Sequence, residues 1–171
     1  MQTIDVMVDT TREFLRQVAA LLPRLRRFGR SVTHHREDAD DLVQIAVERA
    51  LVHADQLREG APVAGWMFGI LRNAWIDEVR GRGRRNRLFA PEEFGEQVAD
   101  PGGPHADILP VQQALARLPD EQREVIGLVL IEGLSYREAA DIVGVPVGTI
   151  TSRLARGRDA LQALLGGAEN S

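Results

Sequence analysis

The sequence predicts an all-α protein: two small helical domains joined by a flexible acidic linker, the C-terminal one containing a helix-turn-helix. Three observations predict it. Apolar residues recur at three- and four-residue steps on both sides of the chain's middle, and no segment alternates as a strand does. Residues 90–110, "APEEFGEQVADPGGPHADILP", are acidic and rich in Pro and Gly, the composition of a linker. Residues 134–161, "LSYREAADIVGVPVGTITSRLARGRDAL", read as two short helices around a tight turn. The expected domains are therefore 1–89 and 111–171.

In the first domain, Thr10 with Glu13 is a capping box that predicts the start of a helix. Pro23 predicts a break before "RLRRFGRSV". A further helix runs from about Asp38 to Ala54, with Val43, Ala46, Val47, Ala50, Leu51 and Ala54 as its apolar row. Another runs from about Val63 past Arg80, with Phe68, Leu71, Trp75 and Val79 inward and Met67, Ile70 and Ala74 beside them. After the linker come a helix ending near Leu118 and one from Pro119 to Ile131.

The quoted pair comes next. Ser135 with Glu138 forms a second capping box, so a helix starts at Tyr136 and turns Ala139, Ala140, Ile142 and Val143 inward. Gly144 fits the left-handed position that ends a helix, and Pro146 suits the first turn of the next. There Ile150, Leu154, Gly157, Leu161 and Leu164 form one buried stripe. Thr149, Ser152, Arg153 and Arg156 fall on the opposite side. Arg can bond guanine edges or phosphates, and Ser and Thr can bond either, so this face suits a DNA groove better than it suits plain solvent.

Composition bounds the function. Mean hydropathy is -0.18, and no apolar run is long enough to span a membrane. No basic segment leads into an apolar stretch at the N-terminus, so no signal peptide is expected, and the chain reads as cytoplasmic. The absence of cysteine excludes disulfides and thiolate metal sites. The net charge of -4 looks wrong for a nucleic-acid binder, but the charge is unevenly placed. Residues 1–88 carry 15 Arg against 12 acids, whereas 89–110 carry five acids and no Arg. Local patches decide phosphate contact.

Three constellations stand out. In "RNAWIDEVRGRGRRNR" (residues 72–87), five of the eight residues from Arg80 to Arg87 are Arg, including Arg82, Arg84 and Arg85. Like charges at this density repel unless something neutralises them, and phosphates would do so through counterion release. Asn73 lies near Trp66 and Trp75; amides and aromatics beside a basic helix suit unstacked bases, although both Trp also fit a core. In "REDADDLVQIAVERAL" (residues 36–51), Asp40, Gln44 and Glu48 share one row, with Asp41 beside it. Acids at a helix start favour the macrodipole, which accounts for Asp38 to Asp41. It accounts less well for Gln44 and Glu48, leaving a docking face for a basic partner. "HHREDADD" (residues 34–41) reads as a loop with capping acids rather than a metal site. No phosphate loop or nucleophile motif appears, and neither a cofactor nor an enzymatic activity is expected.

Together these segments resemble a bacterial sigma factor of the sigma-70 family, in the extracytoplasmic-function (ECF) class. "LLPRLRRFGRSV" is similar to region 2.1, "DADDLVQIAVERAL" to region 2.2, "WMFGILRNAWIDEVRGRGRR" to regions 2.3 and 2.4, and residues 115–161 to region 4. Ile45 stands where an acid is usual, and Thr151 where Lys or Arg is common. The resemblance implies binding to core RNA polymerase, through its β′ coiled coil and β flap, and to promoter DNA. It implies that Asp40, Asp41, Leu42, Gln44 and Glu48 meet polymerase. It implies that Asn73, Arg80, Arg82, Arg84, Arg85 and the loop from Leu57 to Gly65 meet the −10 element, and that Thr149, Thr151, Ser152, Arg153 and Arg156 meet the −35 element. It also implies an anti-sigma factor that clamps both domains. The alternatives are a sigma-like decoy for an anti-sigma factor and a stand-alone helix-turn-helix regulator, which would leave the first domain idle. A metal-dependent phosphohydrolase using His34, His35, Asp38 and Asp41 is a more distant one.

Overall fold

The computed structural model describes residues 2–88 and 108–167. Among them every regular element is a helix. Most of the acidic linker lies outside the described residues.

Helix α1, Gln2–Thr33, is longer than the capping signals suggest. Thr10 does not open it. The chain upstream is already helical, and the Thr10 hydroxyl donates back to the Val6 carbonyl at 2.8 Å. Nor does Pro23 break it. A mid-helix proline forfeits one backbone hydrogen bond. Here Val18, Leu25, Phe28 and Val32 are buried on either side of it along one face while Pro23 stays exposed, so burial holds the helix together.

Helix α2, Arg36–Val52, comes after a sharp corner at His34, whose φ is 70°. Its buried face is Ala39, Leu42, Val43, Ala46 and Ala50. Leu51 is 48% exposed and Ala54 lies beyond the helix, so neither continues the inward row. A short 3₁₀ turn at Ala54–Gln56 leads to α3, Val63–Leu88. On α3, Met67, Phe68, Leu71, Ala74 and Trp75 are buried, but Val79 is exposed.

Helix α4, Ile108–Ala116, starts inside the segment read as linker. Helix α5, Asp120–Ile126, passes into a π turn, Gly127–Ile131. Helices α6, Tyr136–Val143, and α7, Val147–Gly166, form the helix-turn-helix. Pro146 sits at the N-cap of α7 rather than in its first turn.

The two halves share one core. Phe28 and Phe68 meet edge to face at 5.7 Å inside the first three helices, and the cluster continues through Leu128, Val125 and Ile150. Gly127 makes this join possible. A Cβ there would lie 2.7 Å from Ser31 Oγ and 3.0 Å from the Phe28 ring.

Candidate nucleic-acid and polymerase interfaces

The helix-turn-helix is built by local chemistry. Glu138 N–H donates to Ser135 Oγ at 3.1 Å, and Ser135 N–H donates to Glu138 Oε2 at 2.7 Å. These bonds hold the Glu138 carboxyl below its ordinary range. Gly144 adopts φ 76°, and the N–H groups of Gly144 and Val145 both donate to the Ala140 carbonyl. Ile150, Leu154 and Gly157 then seat α7 on its neighbours. Gly157 has no room for a Cβ, which would come within 2.7 Å of Ile126 Cδ1. Opposite this seat, Thr151, Ser152 and Arg156 are exposed and Thr149 is half-exposed. The Thr151 and Ser152 hydroxyls donate to the Val147 and Thr149 carbonyls, leaving oxygen lone pairs outward. Arg153 departs from this face. It lies against α5, 3.5 Å from Glu121, with its side chain 19% exposed.

On α3, Asn73, Arg80, Arg82 and Arg84 are exposed. The Arg cluster is partly neutralised from within, by carboxylates of its own chain. Arg82 donates to Glu78 at 2.9 Å and to Asp38 at 3.3 Å. The side chain of Arg85 lies outside the described residues. Trp75 belongs to the core, and Trp66 is half-buried against Phe14 with ring centroids 6.1 Å apart.

On α2, Asp40, Asp41, Gln44 and Glu48 face solvent together. Gln44 donates to Glu48 at 3.3 Å, and Arg26 lies 3.9 Å from Asp40. Leu42 is fully buried, so it supports this row from behind and offers no surface. Ile45, 36% exposed, is the apolar member of the outward face instead. The acids of the first turn are Glu37 and Asp38, as a helix start favours.

Sequence reasoning missed the residues that join the halves. The Glu132 side chain has no exposed surface. Its carboxylate accepts from Arg24 Nε at 3.1 Å, from Arg27 Nε at 2.8 Å and from Arg27 Nη2 at 3.0 Å, and Arg24 Nη2 donates to the Glu132 carbonyl. Arg24 also stacks over Phe68, 5.2 Å from the ring centroid. Arg72 donates to the buried carboxylate of Glu124. Burial pushes the Glu124 carboxyl above its ordinary range, and Arg72 opposes that push. The one available signal was Gly127, a small residue inside the apolar run "EVIGLVLIEG" (residues 124–133).

The family model for Sigma-70 region 2 matches residues 17–85, and that for Sigma-70, region 4 matches residues 108–161. The ECF RNA polymerase sigma factor EcfG of Rhodopseudomonas palustris is 38% identical over 161 residues, covering 93% of this chain and 87% of that one. The ECF RNA polymerase sigma factor SigM of Mycobacterium tuberculosis is 38% identical over 143 residues, covering 84% and 72%. Among solved structures, the sigma factor RpoE of Bartonella quintana, in complex with the anti-sigma factor NepR, superimposes with a TM-score of 0.78 at 35% identity. That match covers 91% of this chain and 98% of RpoE. CnrH, in complex with the cytosolic domain of CnrY, superimposes with a TM-score of 0.70 at 30% identity, covering 92% and 90%.

Proposed function

This chain belongs to the sigma-70 family, in its extracytoplasmic-function class, and on that premise we propose how its surfaces start transcription. It is a sigma factor, which binds core RNA polymerase and directs promoter-specific initiation. The observation that carries the reading is the ordered match to regions 2 and 4, each falling on a half that presents a suitable polar face. The outward row Asp40, Asp41, Gln44 and Glu48, with Ile45 among them, meets the basic β′ coiled coil of polymerase. Asn73 and the Arg80, Arg82, Arg84 and Arg85 cluster meet the −10 element. Thr149, Thr151, Ser152 and Arg156 meet the −35 element, joined by Arg153 once it leaves Glu121. The α4–α7 half also meets the β flap.

Reading both elements requires the halves to part. Promoter elements one and a half or more turns apart lie roughly 50–60 Å from each other along B-DNA. In the closed arrangement α6 packs on α3, which fixes the two halves against each other. The linker, some 20 residues, could span about 70 Å when extended. The closed arrangement is therefore the resting form, and polymerase binding separates its halves. An anti-sigma factor is the natural ligand of the closed form, because RpoE, which shares this arrangement, is seen with the anti-sigma factor NepR, and the similar CnrH is seen with the cytosolic domain of CnrY. A decoy role is disfavoured because the relatives that span most of the chain are themselves named sigma factors.

The test is in vitro transcription with core polymerase from the native host on a genomic fragment library. Sequence-specific initiation that depends on this chain is expected. Promoter binding by the chain alone at physiological salt, with no initiation, would instead indicate a simple repressor or activator.

A further inference from the structure

The first half of α1 presents an apolar row with little covering it among the described residues. Ile4, Val8, Thr11 and Leu15 recur at steps of four and three, the 3.5-residue repeat of a coiled-coil seam. Val18 and Leu25 continue the same row inside the core, at 4% and 0% exposure. Before Val18 the row is bare: Ile4 is 69% exposed, Val8 42% and Leu15 44%. The Thr11 hydroxyl is occupied by the Met7 carbonyl at 2.9 Å, which leaves its methyl group for the seam.

We propose that this bare segment pairs, antiparallel, with the same segment of a second copy. The argument is charge and register. Asp5 and Arg12 lie on one flank of the seam, seven residues apart, and Met7 and Phe14 lie on the other. When two identical helices pair antiparallel, like flanks meet. Asp5 then faces the partner's Arg12, Met7 faces the partner's Phe14, and Ile4 and Val8 stack on the partner's Leu15 and Thr11. Parallel pairing brings opposite flanks together and sets Arg12 against Met7, with Asp5 left over. Flanking charges of this kind choose the orientation of a helix pair. The chain's own ion pairs leave these charges available. Glu13 holds Arg16 and Gln17, both at 2.9 Å, whereas Asp5 and Arg12 have no ion pair among the described residues. Phe14 already rests on Trp66, so the partner helix would end against that ring.

Such a contact is short, well below the ~1,000 Å² of a stable interface, so dissociation is expected on the order of 100 μM. Sedimentation equilibrium of the full chain should show a concentration-dependent dimer. Asp5→Arg and Arg12→Asp should each weaken it about tenfold by placing like charges opposite, and the double swap Asp5→Arg/Arg12→Asp should restore it. Because the chain lacks cysteine, disulfide trapping is unambiguous. Val8→Cys mixed with Thr11→Cys should cross-link, and Val8→Cys alone should not. Circular dichroism on the same samples checks that α1 remains helical. A monomer at every concentration up to about 1 mM overturns the proposal. So does a double swap as weak as the single changes, or efficient self-cross-linking of Val8→Cys.

Discussion

Replacing Glu132 by alanine should shift the molecule toward an open form with its halves apart. The carboxylate is wholly buried and accepts three hydrogen bonds from two guanidiniums. Hydrogen bonds to charged groups contribute about 1.5–3 kcal/mol each, but they do not add in full. The Arg24 and Arg27 side chains are 34% and 54% exposed, so both rehydrate once the acid is gone. The net loss is then about 2–4 kcal/mol, below the cost of leaving a buried charge unpaired. A loss of that size raises the open-to-closed ratio roughly 30- to 700-fold. Dyes on Arg58→Cys and Gln162→Cys, both exposed sites, would report the separation by energy transfer. Glu132→Arg should open the chain further, and adding Arg27→Glu should partly close it again. An unchanged transfer distribution in Glu132→Ala, with unchanged melting, would mean that the shared apolar core alone holds the halves and the ion cluster is incidental.

Arg156→Ala should weaken −35-dependent transcription by about 1–3 kcal/mol, read as initiation from matched and mismatched promoters; equal losses on both would reduce Arg156 to a phosphate contact. Asp41→Arg with Glu48→Arg should leave circular dichroism and melting nearly unchanged and abolish pull-down of core polymerase, since these exposed positions cost little to change; full binding would remove this face from the mechanism. Neutralising Arg82 and Arg84 should flatten the salt dependence of promoter binding, and an unaltered slope would assign Arg82 to its intramolecular partners alone. Burial raises the Glu124 carboxyl, so its protonated form suits the fold; the contribution of this group to stability is full below the ordinary carboxylate range and is lost as pH rises through the raised value. Arg72→Ala removes the opposing hydrogen bond and should steepen that loss, measured as denaturation midpoint against pH; parallel curves would exclude the pair as its source.

The features legible in the sequence were those decided within a few residues. Ser135, Glu138 and Gly144 form their cap and turn as expected because every partner lies within one helical turn. The Asp40–Glu48 row faces out because the opposite side is plainly apolar. Errors arose where distant packing overruled local preference. Thr10 and Pro23 carry start and stop signals, yet α1 runs through both, because its lower half is buried on either side of Pro23. Leu42 shares a sequence motif with its outward neighbours, although its spacing from Val43 and Ala46 places it in the core. Arg153 sits at the right step for DNA but close enough to Glu121 to be held there. Glu132 looked like any loop acid, since its partners stand more than one hundred residues away in the chain.

A π turn is an α-helix carrying one residue more than its hydrogen bonds require. At Gly127–Ile131 that extra residue closes through Glu132 N–H to the Gly127 carbonyl at 3.0 Å. It therefore fixes the phase of α6 and α7. Deleting any one residue of the five would restore ordinary winding, swing those two helices by about 100° and draw them back about 1.5 Å. Glu132 would rotate away from Arg24 and Arg27, and the helix-turn-helix would point elsewhere, even with every remaining side chain intact. In this segment a change of length is more damaging than most changes of residue.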